Sequence, residues 1–336
     1  VACQPAGDDV NRQGTRTETL HFFTWADYTS PDLIEEFERQ AGVKVVVDTF
    51  SSNEEMLAKL QSGAGGYDVV VPSDFMVSIM IRLGLLAELD HSKISNLAQI
   101  SPELQQLPFD PDNRVSVPYL WSTTGIGYDS AVVPTPPDSW EVLWDRRYKG
   151  KVSMLNDQRE IFSVGLFLLG QSPNTQDPAL IHRAKDRLLL QKPLVKTYSN
   201  DNFSHLLASG EVVLAQGWGG MVARAMLERP SIRYVIPKEG GTIWADCLVV
   251  LKASKNREVA MQFINYLLDR TVAAKTTNRL LYASSNGEAK ALVDPAILAN
   301  PAVYPPQSAF ARLHWMTDVG EAIRVYDRAW TELKLL

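Results

Sequence analysis

The sequence predicts an α/β protein of two lobes, each a mainly parallel sheet flanked by helices, and three observations carry that prediction. A chain of 336 residues exceeds the size at which one hydrophobic core usually keeps growing. Residues 19–83 alternate β-branched runs with amphipathic stretches at the spacing of right-handed βαβ units. Aromatic and acidic residues then recur just past the carboxyl ends of predicted strands in both halves of the chain. Open α/β sheets bind ligands at such ends, in crevices where the topology switches.

The first strand is Thr19–Thr24, running into Trp25-Ala-Asp27-Tyr28. Pro31 opens a helix over Asp32–Gln40, with Leu33, Ile34 and Phe37 on one face and a stop at Gly42. Val43–Phe50 reads as the second strand, and Ser52-Asn-Glu-Glu starts the next helix with capping chemistry. Tyr67–Pro72 is a continuous apolar run of the kind buried in a parallel sheet, followed by Ser73, Asp74, Phe75 and a helix to about Leu83. Val115–Tyr128 reads as a long extended segment broken at Gly125, the first passage between lobes.

The second half begins with a Trp-rich helix over Ser139–Trp144. Strands are expected at Lys151–Leu155, Leu194–Tyr198, Val212–Gln216 and Ile232–Ile236, and helices at Glu160–Leu169, Pro178–Leu190 and Phe203–Ser209. Ile243–Leu251 is a β-branched strand in which Trp244 and Asp246 share one face, Ala245 and Cys247 the other. Helices follow at Lys255–Asp269, Arg270–Leu280 and Asp318–Leu333. The expected division is a tether over 1–18, one lobe from 19–122 with 245–300, and a second from 123–244 with 301–336.

Composition narrows the function. The hydrophobic fraction of 45% and charged fraction of 21% are those of a soluble globular chain, and no apolar run approaches ~18 residues, so no membrane span is expected. A net charge of −6 argues against nucleic acid and permits a cationic ligand. The five histidines lack metal-ligand spacing, and neither a dinucleotide or nucleotide phosphate loop nor a Gly-x-Ser-x-Gly elbow occurs. No metal, cofactor or enzymatic role is expected. Of the two cysteines, Cys247 falls in a buried strand, where a thiol acts as a small apolar group. Val-Ala-Cys3 looks like the end of a bacterial lipoprotein signal, so Cys3 is the expected lipid-attachment residue, ahead of an aperiodic polar stretch. The alternative is a chance cysteine at a chain end.

An organic cation suits the strand-end residues best. A polyamine carries ammonium groups along methylenes, so its recognition needs carboxylates at intervals for charge-assisted hydrogen bonds. Aromatic faces cover the methylenes and attract the charge, by ~0.5–2 kcal/mol per contact. Asp27, Asp157, Glu160 and Asp246 supply carboxylates; Trp25, Tyr28, Phe75, Trp218, Trp244 and Tyr282 supply walls. Each has a plainer reading, such as a core Trp244 beside a turn Asp246. Asp157 and Glu160 also fit a helix macrodipole or, less well, the acid and nucleophile of a glycoside hydrolase. A receptor for another small amine such as γ-aminobutyrate is a further alternative, although an amino-acid carboxylate would want an arginine, and the strand ends offer none apart from Arg159.

Motifs along nearly the whole chain resemble the periplasmic spermidine/putrescine-binding proteins of bacterial ABC importers. They are Thr-Trp-Ala-Asp-Tyr28, Tyr-Asp-Val-Val-Val-Pro-Ser73, Pro-Phe-Asp-Pro-Asp-Asn113, Val-Pro-Tyr-Leu-Trp121, Asp-Gln-Arg-Glu160, Pro-Lys-Glu-Gly-Gly241 with Trp-Ala-Asp246, Phe-Ile-Asn-Tyr-Leu-Leu268 and Asp-Val-Gly320. The resemblance implies a periplasmic-binding-protein fold of the second class, a Venus flytrap. It implies ligand aromatics at Trp25, Tyr28, Trp218, Trp244 and Tyr282, acids at Asp27, Asp157, Glu160 and Asp246, and a contact at Ser73. Asp27 stands where spermidine binders tend to have Glu, Phe75 where they have Tyr, Asn200 where a small hydroxyl contacts ligand, and Met316, expected at the rim, where Gln does. The implied function is polyamine capture, spermidine before putrescine, and delivery to ABC permease subunits. The protein is expected to be a periplasmic monomer that meets the membrane through a lipid at Cys3. Closure is expected to bring aromatics of one lobe against carboxylates of the other.

Overall fold

The computed structural model describes residues 18–26, 28–63 and 66–335; Cys3 and Asp27 lie outside them. The chain opens with β1 (Thr19–Trp25), α1 (Pro31–Ala41), β2 (Lys44–Phe50), α2 (Asn53–Gln61), β3 (Val69–Val70) and α3 (Asp74–Arg82). These three strands are parallel, in the order β2-β1-β3. The run expected over Tyr67–Pro72 is a strand only at its centre. Its flanks still bond to β1, from the Asp68 N–H to the His21 carbonyl and from the Val71 N–H to that of Phe23. Capping falls where the sequence puts it, with the Ser52 hydroxyl accepting from the Glu55 N–H at 3.1 Å.

Next comes β4 (Ser116–Asp129), buried along its whole length and unbroken at Gly125. Gly125 is needed there for a different reason. A Cβ would stand 2.5 Å from the Val235 carbonyl oxygen and 2.8 Å from the Tyr234 ring, so the glycine lets two strands approach.

The second lobe follows as β5 (Val152–Met154), α4 (Gln158–Leu168), α5 (Pro178–Gln191), β6 (Val195–Tyr198), α6 (Phe203–Ser209), β7 (Leu214–Trp218), α7 (Gly219–Glu228) and β8 (Ile232–Val235). Strands β5, β6 and β7 are parallel. The segment expected as a helix over Ser139–Trp144 is a 3-10 turn, Trp140–Trp144, whose Trp140 indole N–H donates to the Gly240 carbonyl at 2.8 Å. Helix α7 is not anticipated from the sequence, and the strand before it lies two residues later than expected, so Trp218 closes β7.

The chain then returns along β9 (Gly241–Val250), α8 (Arg257–Leu267), α9 (Arg270–Leu280) and β10 (Ala283–Ser284), and ends through α10 (Pro295–Leu298), β11 (Leu313–Trp315) and α11 (Ile323–Leu335). The last helix begins at Ile323 rather than Asp318, behind a 3-10 turn at Gly320–Ala322.

Two strands join the halves. β4 and β9 run antiparallel from Ser116–Val249 to Thr124–Thr242. Past Thr124, β4 changes partners to β7 and β8, while the other end of β9 pairs with β3. One apolar core gathers Leu20, Phe22, Val69, Leu248 and Phe263 around the first sheet. Another gathers Ile126, Trp140, Phe162, Leu214 and Tyr326 around the second. Of these two strands, β9 reaches the cleft between the cores, with Trp244 and Asp246.

Candidate functional site

From the first lobe, the central side chain is Asp246, 4% exposed. Its Oδ2 accepts from the Tyr28 hydroxyl and its Oδ1 from the Ser73 hydroxyl, both at 2.7 Å. Ser73 is fixed in turn by Asn53, whose amide donates to the Ser73 Oγ at 3.1 Å and whose carbonyl accepts the Ser73 N–H at 3.0 Å. Asp246 is therefore held in one orientation by groups from β1's end, α2 and α3. Burial raises its pKa to about 6, while the two hydroxyls pull it down. Trp244, on the same face of β9, packs 5.7 Å from Tyr282, which lies 5.4 Å from Tyr28. The row is an aromatic wall beside a carboxylate. Trp25 is pinned by its indole N–H, which donates to the Val71 carbonyl at 3.0 Å.

In the second lobe, Asp157 follows β5 and caps α4, accepting the Glu160 N–H on Oδ1 at 3.0 Å. Capping and cavity lining coexist in this one side chain. Glu160 is 3% exposed. Its Oε1 accepts from the Thr124 hydroxyl at 2.8 Å and its Oε2 from the Thr242 hydroxyl at 2.9 Å. Those threonines are paired across β4 and β9, so Glu160 is seated on the strands that join the lobes. Burial, then Asp157, pushes its pKa to about 8. Burial also raises that of Asp157. Trp218 ends β7 edge-on to Phe203, 6.5 Å away.

These walls enclose a cleft of about 910 Å³, open solvent at its mouth included. Trp25, Tyr28, Ser73, Phe75, Asp157, Glu160, Trp218, Trp244, Asp246, Tyr282 and Met316 all line it. Asp27 lies outside the described residues. Asn200 is a correction: its side-chain carbonyl accepts the Asn156 N–H at 2.9 Å, tying two strand-end turns together, and its neighbour Asp201 lines the cavity instead. Met316 is a second. It is 6% exposed and packs with Phe75 and Cys247 in the cleft wall rather than at the rim. A third concerns how the walls are shared, since both lobes supply aromatics and carboxylates.

Arg159 does not line the cleft. Only 2% exposed, it donates to the Thr317 and Pro173 carbonyls and to Asn174, and its guanidinium stands 5.8 Å from the Phe75 ring. Arg224 and Met221 line the cleft from α7, and Asn53 and Asp74 from the starts of α2 and α3. The first pair goes unseen from sequence because α7 does. Asn53 shows in the sequence only as part of a helix-capping segment, and Asp74 as one of the residues just past the end of a strand. Among the described residues no group of His, Cys, Asp and Glu is arranged to hold a metal ion, and no helix is long and apolar enough to cross a membrane.

A cleft walled by two lobes that share a pair of crossing strands defines a two-lobed solute-binding protein. Residues 32–305 match the family of bacterial extracellular solute-binding proteins. The chain is 40% identical over 320 residues to spermidine/putrescine-binding periplasmic protein 1 of Haemophilus influenzae, covering 94% of this chain and 89% of that protein. It is 35% identical over 346 residues to the putrescine-binding periplasmic protein PotF of Escherichia coli, covering 97% and 94%. In structure it resembles a putative spermidine/putrescine ABC transporter protein of Listeria monocytogenes, with TM-score 0.91, 34% identity and 95% and 99% coverage. A Treponema pallidum lipoprotein matches with TM-score 0.87, 30% identity and 95% and 100% coverage. The chain belongs to the spermidine/putrescine-binding family of bacterial extracellular solute-binding proteins.

Proposed function

We propose that this protein captures polyamines, spermidine first and putrescine next, and delivers them outside the cytoplasmic membrane to the permease of an ABC importer. The observation that carries this reading is the seating of Asp246, Glu160 and Asp157 in an aromatic cleft. Buried carboxyls are costly unless a cation meets them, and the Trp244–Tyr282–Tyr28 row offers apolar faces for methylenes between ammonium groups. Reversible capture needs no turnover. The Asp157–Glu160 pair supports binding over hydrolysis, since one caps a helix and the other is held by two threonines. In this reading lobe one is 19–122 with 245–300 and lobe two 123–244 with 301–336, and they move about the β4–β9 crossing as one monomer. A lipid on Cys3 would tether it; the lipoprotein nature of the Treponema relative supports this, and mass spectrometry finding Cys3 unmodified in native protein would remove it.

Calorimetric titration with spermidine, putrescine, spermine and γ-aminobutyrate tests the assignment. Binding is expected for spermidine and putrescine. Arg224 is the cation in the wall among the described residues, so a preference for γ-aminobutyrate, or no heat with any polyamine, would overturn it.

A further inference from the structure

We propose that Asp74 is a further ligand-responsive carboxyl of this cleft, protonated while no ligand is bound and giving its proton to solvent as a cationic ligand enters. The inference rests on the polyamine reading and adds a residue and a proton to it.

Asp74 is the first residue of α3, directly after Ser73, and only 1% exposed. Its Oδ1 accepts the Phe75 N–H at 2.7 Å; its Oδ2 lies buried in the cleft wall with no hydrogen-bond partner. The ionisable groups around it come from two other elements. Asp246 and the buried thiol of Cys247 face it from β9, and Glu160 and Arg159 from α4. Arg159 gives its two terminal nitrogens to Thr317, Pro173 and Asn174, and its buried Nε donates to no acceptor, so no hydrogen bond joins it to Asp74. An ionised Asp74 would thus hold an unpaired, desolvated oxygen beside two other acids, an arrangement that native structures avoid. Burial, with Asp246 and Glu160 adding to it, holds its pKa well above the ordinary range, although the Phe75 N–H and, from outside hydrogen-bond geometry, that of Ala245 pull it down. A proton resolves the conflict in the unliganded cleft.

An ammonium entering the cleft changes the balance. Its charge offsets that of Asp246 and attracts an ionised Asp74 in the cleft wall, so the ionised form becomes the favoured one. The carboxyl O–H bond breaks, the electron pair stays on the carboxylate and the proton leaves to solvent. Binding that releases a proton strengthens as pH rises.

Asp246 and Glu160 are raised by burial too, so the test isolates Asp74 by substitution. Asp74→Asn matches the shape of a protonated aspartate and keeps an acceptor for the Phe75 N–H. Spermidine is titrated into wild type and Asp74→Asn at about pH 7 in phosphate and in Tris, whose protonation enthalpies differ, so the heats count protons released. The variant should release up to about one proton fewer, and its affinity deficit should widen between about pH 6 and about pH 8. Equal proton counts and a pH-independent deficit overturn the role of Asp74. Spermidine heat absent in wild type instead overturns the polyamine reading. Should the Asn variant fail to fold, Asp74→Thr, equally unable to titrate, gives the same reading.

Discussion

Asp157 caps α4 and stands in the cavity wall, and substitution separates the two roles. Asparagine caps about as well as aspartate but carries no charge. Asp157→Asn should leave unfolding free energy within ~0.5 kcal/mol while weakening spermidine roughly tenfold or more, ~1.4 kcal/mol. Asp157→Ala should lose ~1 kcal/mol of stability as well. Denaturant unfolding beside calorimetry checks both, and an Asn variant that binds like wild type leaves Asp157 a cap alone. Asp246→Asn removes the charge from a carboxylate held by two hydroxyls and should cost ~2–5 kcal/mol of spermidine affinity; a loss within about threefold would remove Asp246 from the ligand's partners. The raised pKa values also set a pH dependence. Asp246 moves from ~3.9 unfolded to about 6 folded, and Glu160 from ~4.3 to about 8. Their stabilising contribution is complete below about pH 4 and disappears as pH rises through those folded values. Ligand-free protein should melt lower at about pH 8 than at about pH 5, and saturating spermidine should flatten the slope. A melting point that climbs across this range without ligand contradicts the burial of these acids.

Helix α7 places Met221 and Arg224 in the cleft, and its first residues hold Tyr282 in place. A Cβ on Gly220 would stand 2.4 Å from the Tyr282 ring and 2.8 Å from the Leu281 carbonyl oxygen. Gly220→Ala should push Tyr282 off the Trp244–Tyr28 row, costing ~1–3 kcal/mol of stability by overpacking and weakening spermidine; unchanged melting and affinity would show that the row has slack. The same glycines explain why α7 is missed from sequence. Gly217, Gly219 and Gly220 look like breakers, yet all three are required by tertiary contacts, with Phe203, Ala302 and Tyr282 in turn, which no local pattern encodes. Elements with a clear period, such as α1 with Leu33, Ile34 and Phe37 inward, are legible to within a residue or two. Trp140–Trp144 is too short for its period to separate a 3-10 turn from an α-helix.

At the scale of the molecule, the site is legible where strand ends carry it, because β-strand alternation and βαβ order fix which side chains reach the crevice. Asn200 and Met316 rest on resemblance alone; the fold uses Asn200 to tie turns and sets Met316 in the cleft wall, packed rather than at the rim. Asp74 is legible as a residue past a strand end, but its protonation is not, because that comes from burial beside Asp246. Arg159 and the Arg82–Asp318 pair connect segments on either side of the cleft, so ligand binding should favour the closed arrangement. Small-angle scattering should show the radius of gyration falling with saturating spermidine, and an unchanged radius would count against closure. The central claim, that these buried acids meet a polyamine between the lobes, is tested most directly by a crystal structure of the spermidine complex. One ammonium nitrogen should lie about 2.7–2.9 Å from Asp246 and a second in the same range from Glu160 or Asp157, with the methylenes against Trp244 and Tyr282. Spermidine bound elsewhere, or in the cleft with neither ammonium on these carboxylates, would contradict it.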